Sequence, residues 1–424
     1  MTSIPLSVGA RLGAAAVAGA VLAMTVTAGP AAAPAGAAIQ GFWPTDFHAF
    51  TTHRDFAAGH ADRAVLPVRQ GDGAITLARG ATAGTWTSPE YRPRAGFTEL
   101  VASWQASTPA GSWVEIGMQA RTATATSAWY VMGVWAFEDS AALTRHSVDG
   151  QDDPVGAIYT DTFLAHDAAP GGTPVAYRLR VTLHASGAAR PVLRQVAATA
   201  SLPGTLPTTT SPTTMRRQVD LPVPAYSQET HHDEYPAFDG GGEAWCSPTS
   251  TSMVLSYYRT GPGAADVAGL PADPVFDANG RADGVVDYGA IHVYDAVYEG
   301  AGNWPFNSAY ASAYGLDGSI RQYSSLQPLE GWVRRGVPLV VSIRWNNGDA
   351  DPLNDLDGAS ITSTSGHLMV VRGFTATGDV IANDPASPGN PAVRHVYRRD
   401  QFERDWLRAS DGTTYVIKPY WVAG

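Results

Sequence analysis

A single cysteine, Cys246, occurs in 424 residues, and it stands in the run Ala244-Trp245-Cys246-Ser247-Pro248-Thr249-Ser250-Thr251. Proline suits the first turn of a helix and hydroxyl side chains satisfy its free N–H groups, so this spacing predicts a helix starting at or just after Cys246. The positive end of the helix dipole there favours a thiolate, the nucleophilic form of the side chain. A lone cysteine has no internal disulfide to make. One kept only as a small buried hydrophobe has no need of a helix N-terminus.

Two further segments supply what a thiol nucleophile needs. Gly366-His367-Leu368-Met369-Val370-Val371-Arg372-Gly373-Phe374 and Val380-Ile381-Ala382-Asn383-Asp384-Pro385 flank Thr375-Ala376-Thr377-Gly378-Asp379. Apolar runs on either side of a glycine-containing turn read as a β-hairpin. A turn centred near Ala376 sets His367 opposite Asp384, on one face and within side-chain reach. A carboxylate so placed orients an imidazole base and stabilises its charged form. Upstream, Val223-Pro224-Ala225-Tyr226-Ser227-Gln228 ends in an amide able to donate to an oxyanion, beside the Cys246 backbone N–H.

Taken in order, Gln228, Trp-Cys-Ser-Pro-Thr-Ser, Gly-His-Leu-Met-Val-Val and Asn-Asp-Pro resemble the bacteriocin-processing (double-glycine) peptidase-like family of the papain superfamily, over about residues 221–420. The resemblance implies Cys246 as nucleophile, His367 as general base, Asp384 as orienter and Gln228 as oxyanion donor. It further implies a peptide or protein substrate and no cofactor. The β-rich upstream half is similar to the N-terminal region of secreted two-part members. Bacteriocin exporters join this peptidase to membrane helices and an ATPase. Neither is evident here, and no phosphate-binding Gly-rich Lys-Ser/Thr motif occurs, so specificity for a double-glycine leader does not carry over.

The elements that must position these residues fall into two parts. Residues 39–201 show short alternating segments between turns, such as Glu99 to Trp104, Trp113 to Met118, Tyr177 to Leu183 and Val192 to Ala200, which predict an all-β sandwich of jelly-roll type. Residues 202–220 are rich in Pro and Thr and read as a stiff, solvated linker outside any core. Residues 221–424 read as helices first (Pro248 to Arg259, Val286 to Glu299, Pro305 to Tyr314) and strands after (Leu339 to Trp345, His367 to Phe374, Val380 to Asn383, Thr414 to Ile417). That order predicts a segregated α+β domain of papain-like type.

Arg11, the apolar run Leu12 to Val26 and the small residues through Ala33 and Ala38 have the order of a secretory signal peptide over residues 1–38. The expected mature chain starts between Pro34 and Gln40, without a membrane span, and is extracellular. A formal charge of −11 and a single lysine, Lys418, argue against a nucleic-acid partner.

Several other readings compete. His231-His232-Asp233-Glu234 is weighed as a metal cluster and read instead as a solvated loop, because adjacent histidines rarely converge on one ion and no second ligand set is evident. No metal site is therefore expected. Trp43, Trp86, Trp104, Trp113, Trp129 and Trp135 read as sandwich core before they read as a glycan-stacking surface for the cell wall. A non-catalytic wall- or peptide-binding protein and a transglutaminase-like acyl transferase are the alternatives to hydrolysis.

Overall fold

The computed structural model describes residues 42–67, 73–140, 143–280 and 282–423, so the expected signal peptide lies outside the described residues. Residues 41–424 form one compact unit. Its N-terminal half is β-rich. Val192–Ser201 lies between Thr45–Phe50 and Glu99–Ser107, with Ala198 opposite His48 on one side and Ala102 on the other. A second sheet centres on Ala176–Ala185, where Val181 faces Trp86 and Ile116 of its two neighbours. Alternation along these strands turns Trp86, Trp104, Ile116, Leu179 and Val196 inward, all fully buried in one apolar cluster. One short helix, His53–Ala58, departs from the all-β expectation; Thr52 and Asp55 close a capping box at its start.

The tryptophans are mostly core. Trp43, Trp86, Trp104 and Trp135 are buried. Half-buried Trp113 stacks on His184, with ring centroids 4.9 Å apart. The Arg180 guanidinium covers Trp129 at 4.4 Å.

The C-terminal half is a mixed α/β domain of papain-like fold. Its sheet runs Asp317–Gln322, Thr413–Lys418, Leu339–Asn346, Ser363–Phe374, Val380–Asn383 and Arg394–Tyr397, with Val219–Asp220 also paired to Ser363–Phe374. The helix Cys246–Tyr257 packs on this sheet, where Ser250 Oγ donates to Leu368 O at 3.1 Å. The expected order of helices before strands is too simple. Helix Arg399–Ser410 comes late and packs Phe402, Trp406 and Leu407 into an apolar cluster with Val341, Ile343 and Val371. Charged residues between those three apolar positions obscure its period in the sequence.

The Pro/Thr-rich segment is not a solvated strap. Ser211 and Met215 are buried. The Ser211 hydroxyl and amide donate to the two carboxylate oxygens of Glu403 at 2.6 and 2.7 Å. Thr213 Oγ1 and the Thr214 amide donate to Glu330 at 2.7 and 2.8 Å, and Arg399 reaches the same carboxylate at 2.7 Å. Composition suggested a segment without a core to join. Buried acceptors from distant helices give its hydroxyls and amides partners instead.

The two halves share one hydrophobic core. Phe306 of helix Trp304–Ala313 packs against Trp135 at 5.3 Å and Trp104 at 6.1 Å between centroids. Polar ties surround that contact. The buried Arg145 donates to the carbonyls of Ile291 and Tyr294, Thr199 Oγ1 donates to Ile320 O, and Gln105 donates to Asp317. The β-rich half is therefore a wall against which the helices beside Cys246 are packed.

Candidate active site

Cys246 is the first residue of the helix Cys246–Tyr257. The helix is buried from Ser247 to Leu255, which its short hydroxyl side chains permit. Most find a partner inside the fold: Ser247 Oγ lies 2.9 Å from Tyr415 OH, and Ser252 Oγ donates to Val285 O at 3.1 Å, whereas Thr249 Oγ1 is buried without one. Buried hydroxyls without such partners would each cost on the order of 1–3 kcal/mol.

His367 and Asp384 meet in the interior. His367 Nε2 is 2.8 Å from Asp384 Oδ1, and both side chains are almost wholly buried. The route to that contact differs from the expected one. In the sheet His367 pairs with Ile343, and on the other side the register runs Val370 opposite Asn383 and Gly373 opposite Ile381, with a bulge at Arg372. Asp384 lies beyond the end of its strand, its amide bonded to Val393 O at 2.8 Å, and reaches back with its side chain. The bulge adds a residue that the pairing does not match, and Arg372 is held there by Asp220 Oδ1 at 2.7 Å and Asn383 Oδ1 at 3.1 Å.

The electrostatics favour the charged pair. Burial by itself would lower the His367 value, but the charge and hydrogen bond of Asp384, followed by the hydrogen bond and charge of Cys246, push it up to about 10. Burial opposes ionisation of Asp384 too, and the His367 charge, with hydrogen bonds from His367, Tyr397 and the Ala386 amide, takes it down to about 2. Asp384 holds Nε2, which leaves Nδ1 as the ring nitrogen that can serve the thiol.

Gln228 opens the short 3₁₀ helix Gln228–His231, and its backbone N–H donates to Pro385 O at 2.9 Å, beside Asp384. Its side-chain amide is engaged elsewhere: Nε2 donates to Glu243 O at 2.6 Å and to Glu229 Oε1 at 3.2 Å, while Oε1 is buried without a partner. The turn Gly242–Ala244 that leads into Cys246 lies directly on this 3₁₀ helix. A Cβ on Gly242 would come within 2.4 Å of the Gln228 and His231 carbonyl oxygens, so only glycine fits.

Two residues of this arrangement gave no signal in the sequence. Tyr397 donates from its hydroxyl to Asp384 Oδ2 at 2.9 Å. Trp345 presents an edge to the His367 ring, centroids 5.4 Å apart and planes at 88°.

A family model described as "Peptidase C39 N-terminal domain" matches residues 46–201, and one described as "Peptidase_C39 like family" matches residues 220–414. The chain has a two-domain architecture that matches the C39 peptidase family. No curated protein matches it. Within this C39-like chain the second match contains Gln228, Cys246, His367 and Asp384, and it also contains Tyr397 and Trp345. Among the described residues, no helix is long and apolar enough to cross a membrane.

The reading of residues 231–234 as a solvated loop holds for His232 and Asp233, which are exposed, and fails for His231 and Glu234. His231 Nδ1 lies 2.8 Å from Glu234 Oε2 and 3.1 Å from Asp287 Oδ2, and all three side chains are buried. The second acidic residue comes from helix Val285–Val293, remote in sequence, so the segment by itself could not disclose it.

Proposed function

We propose that this C39-like chain is an extracellular, thiol-dependent peptidase that hydrolyses a peptide or amide bond through Cys246, His367 and Asp384. The observation that carries this reading is the buried His367–Asp384 pair, whose imidazole charge is also favoured by Cys246 at a helix N-terminus. The Cys246 sulfur adds to the substrate carbonyl carbon. The oxyanion accepts the Cys246 backbone N–H and, once its side chain turns from Glu243 O, the Gln228 amide. The imidazolium of His367 gives its proton to the leaving amine as the C–N bond breaks, leaving a thioester on Cys246. Neutral His367 then takes a proton from water, the oxygen adds to the thioester carbonyl, and the acid leaves as the thiol re-forms. Asp384 fixes the ring and its charge throughout. Residues 1–38, as a signal peptide, carry the chain out of the cytoplasm.

The occupied Gln228 amide favours a second reading, a silent relative that grips peptide without cleaving it. One experiment separates them. The purified full chain is incubated with a peptide library, with and without a small primary amine, and products are read by mass spectrometry. Free acid products that vanish in Cys246→Ala support hydrolysis. Amine-capped products instead indicate transglutaminase-like transfer. Peptide retained uncleaved by wild type and Cys246→Ala alike refutes the enzyme and leaves the binder.

A further inference from the structure

The buried group His231, Glu234 and Asp287 lies outside the chemistry assigned to Cys246. One ring nitrogen, Nδ1, faces both carboxylates, at 2.8 Å from Glu234 Oε2 and 3.1 Å from Asp287 Oδ2. Asp287 is fully enclosed; its Oδ2 has only the shared His231 Nδ1 beside it, and its Oδ1 is buried without a hydrogen-bond partner. Asn279 Nδ2 donates to the other Glu234 oxygen at 2.8 Å. Among the described residues no arginine or lysine pairs with either carboxylate, so the imidazolium is the one cation against two carboxylates. With all three groups ionised the enclosure carries a net charge of −1, an expensive condition away from water.

We infer that His231, Glu234 and Asp287 form a divalent-cation site of zinc type, which ties the Gln228 loop to the helix Val285–Val293. Zinc takes imidazole nitrogen and carboxylate oxygen at about 2.0–2.2 Å, which sets donors in a tetrahedron roughly 3.2–3.6 Å apart. The three donor atoms lie within 4.8 Å of one another, and the two short separations need to open by only tenths of an ångström. Binding releases one proton, from His231 Nδ1, and takes the enclosure from −1 to neutral. The Asp287 carboxylate becomes a ligand, and Asn279 holds Glu234 from outside, as groups around metal ligands do. Three donors of this kind are too few and too nitrogenous for calcium, which takes six to eight oxygens.

The placement says what the ion does. His231 ends the 3₁₀ helix that Gln228 begins, and its ring lies 6.4 Å from that of Trp245, the residue before Cys246. Asp287 belongs to a helix bonded to the Cys246 helix through Ser252. An ion here fixes the loop that carries Gln228 relative to the thiol.

The test uses the full secreted chain, stripped with chelator, reloaded with zinc chloride, separated from free metal and counted by plasma emission spectrometry. About one zinc per chain is expected in wild type and in Cys246→Ser. The same is expected in Glu243→Gln, which alters the exposed His232, Asp233 and Glu243 group. Asp287→Asn and His231→Gln should bind at least tenfold more weakly. X-ray absorption on zinc-loaded wild type should show a nitrogen and oxygen shell, a readout independent of whether the variants fold. No retained zinc, a sulfur in the shell, or full retention by folded Asp287→Asn each overturns the site.

Discussion

Replacing Asp384 by Asn removes a charge and keeps nearly the same volume, so it asks how much of the imidazolium at position 367 is owed to that carboxylate. The fall of Asp384 from 3.8 to about 2 corresponds to about 2 kcal/mol at ~1.4 kcal/mol per pH unit, whereas the rise of His367 from 6.5 to about 10 corresponds to about 5 kcal/mol. The two figures differ because the imidazole is also raised by Cys246. The smaller one is the better measure of what Asp384 loses, and it falls on a pair with no solvent to screen it. Losing about 2 kcal/mol shifts the balance between thiolate–imidazolium and thiol–imidazole by roughly ten- to sixtyfold. Alkylation of Cys246 by iodoacetamide at neutral pH should therefore slow by roughly ten- to sixtyfold in Asp384→Asn, and its onset should move to higher pH. Intact-protein mass spectrometry across pH 5–9 gives the rates, and the single cysteine makes the label unambiguous. A near-ultraviolet circular dichroism spectrum like that of wild type establishes that the variant is folded. Superimposable pH profiles for the folded variant and wild type would refute the coupling. If wild-type Cys246 alkylates only as an ordinary thiol, or only after denaturation, the nucleophile assignment itself fails.

Gln228→Ala should leave alkylation nearly unchanged and lower peptide turnover by roughly 10²–10³, since its amide acts only on an oxyanion; equal losses in both measurements would make it structural. Burial, with Asp411 nearby, pushes Glu99 up to about 8, so the folded chain keeps a proton that the unfolded chain releases near 4.5 and stability falls as pH rises between those values. Glu99→Gln should accordingly gain in Tm over wild type through that window and show no gain below about pH 4.5; a gain that shrinks with rising pH would contradict the sign. Phe306→Ala opens the shared core and should cost about 3–5 kcal/mol, lowering one calorimetric transition; two separate transitions, only one of them shifted, would show independent cores. Trypsin should nick the exposed Arg216-Arg217 pair yet leave the two fragments co-eluting, held by Phe306, Arg145 and the Glu330 and Glu403 contacts; separation of the fragments without denaturant would refute that packing.

What the sequence determined by itself was local. Pro248 with its flanking hydroxyls marks a helix start at Cys246, because capping and the proline ring act within one turn. Period-two runs such as Val192 to Ala200 mark strands, and the glycine-containing turn before Val380 marks a hairpin, because these preferences are also settled by near neighbours. The resemblance of the ordered motifs added the family and the roles it implies. Tertiary structure decided everything that depends on which distant groups share an enclosure. The hairpin turns about Thr377, between the paired Phe374 and Val380, which takes Asp384 off the register that a turn near Ala376 suggested, while Asp220 and Asn383 hold the bulged Arg372. Tyr397 and Trp345 reach Asp384 and His367 only once the sheet has formed. Asp287 gives His231 and Glu234 their third partner from another helix, and the Pro/Thr-rich segment finds Glu330 and Glu403 only when their helices are packed. The orientation of the Gln228 amide belongs to the same class: it follows from where Glu243 O lies after Gly242 has let two turns touch. Short-range propensity carries no information about such pairings, because their energy appears only when burial removes water as the competing partner.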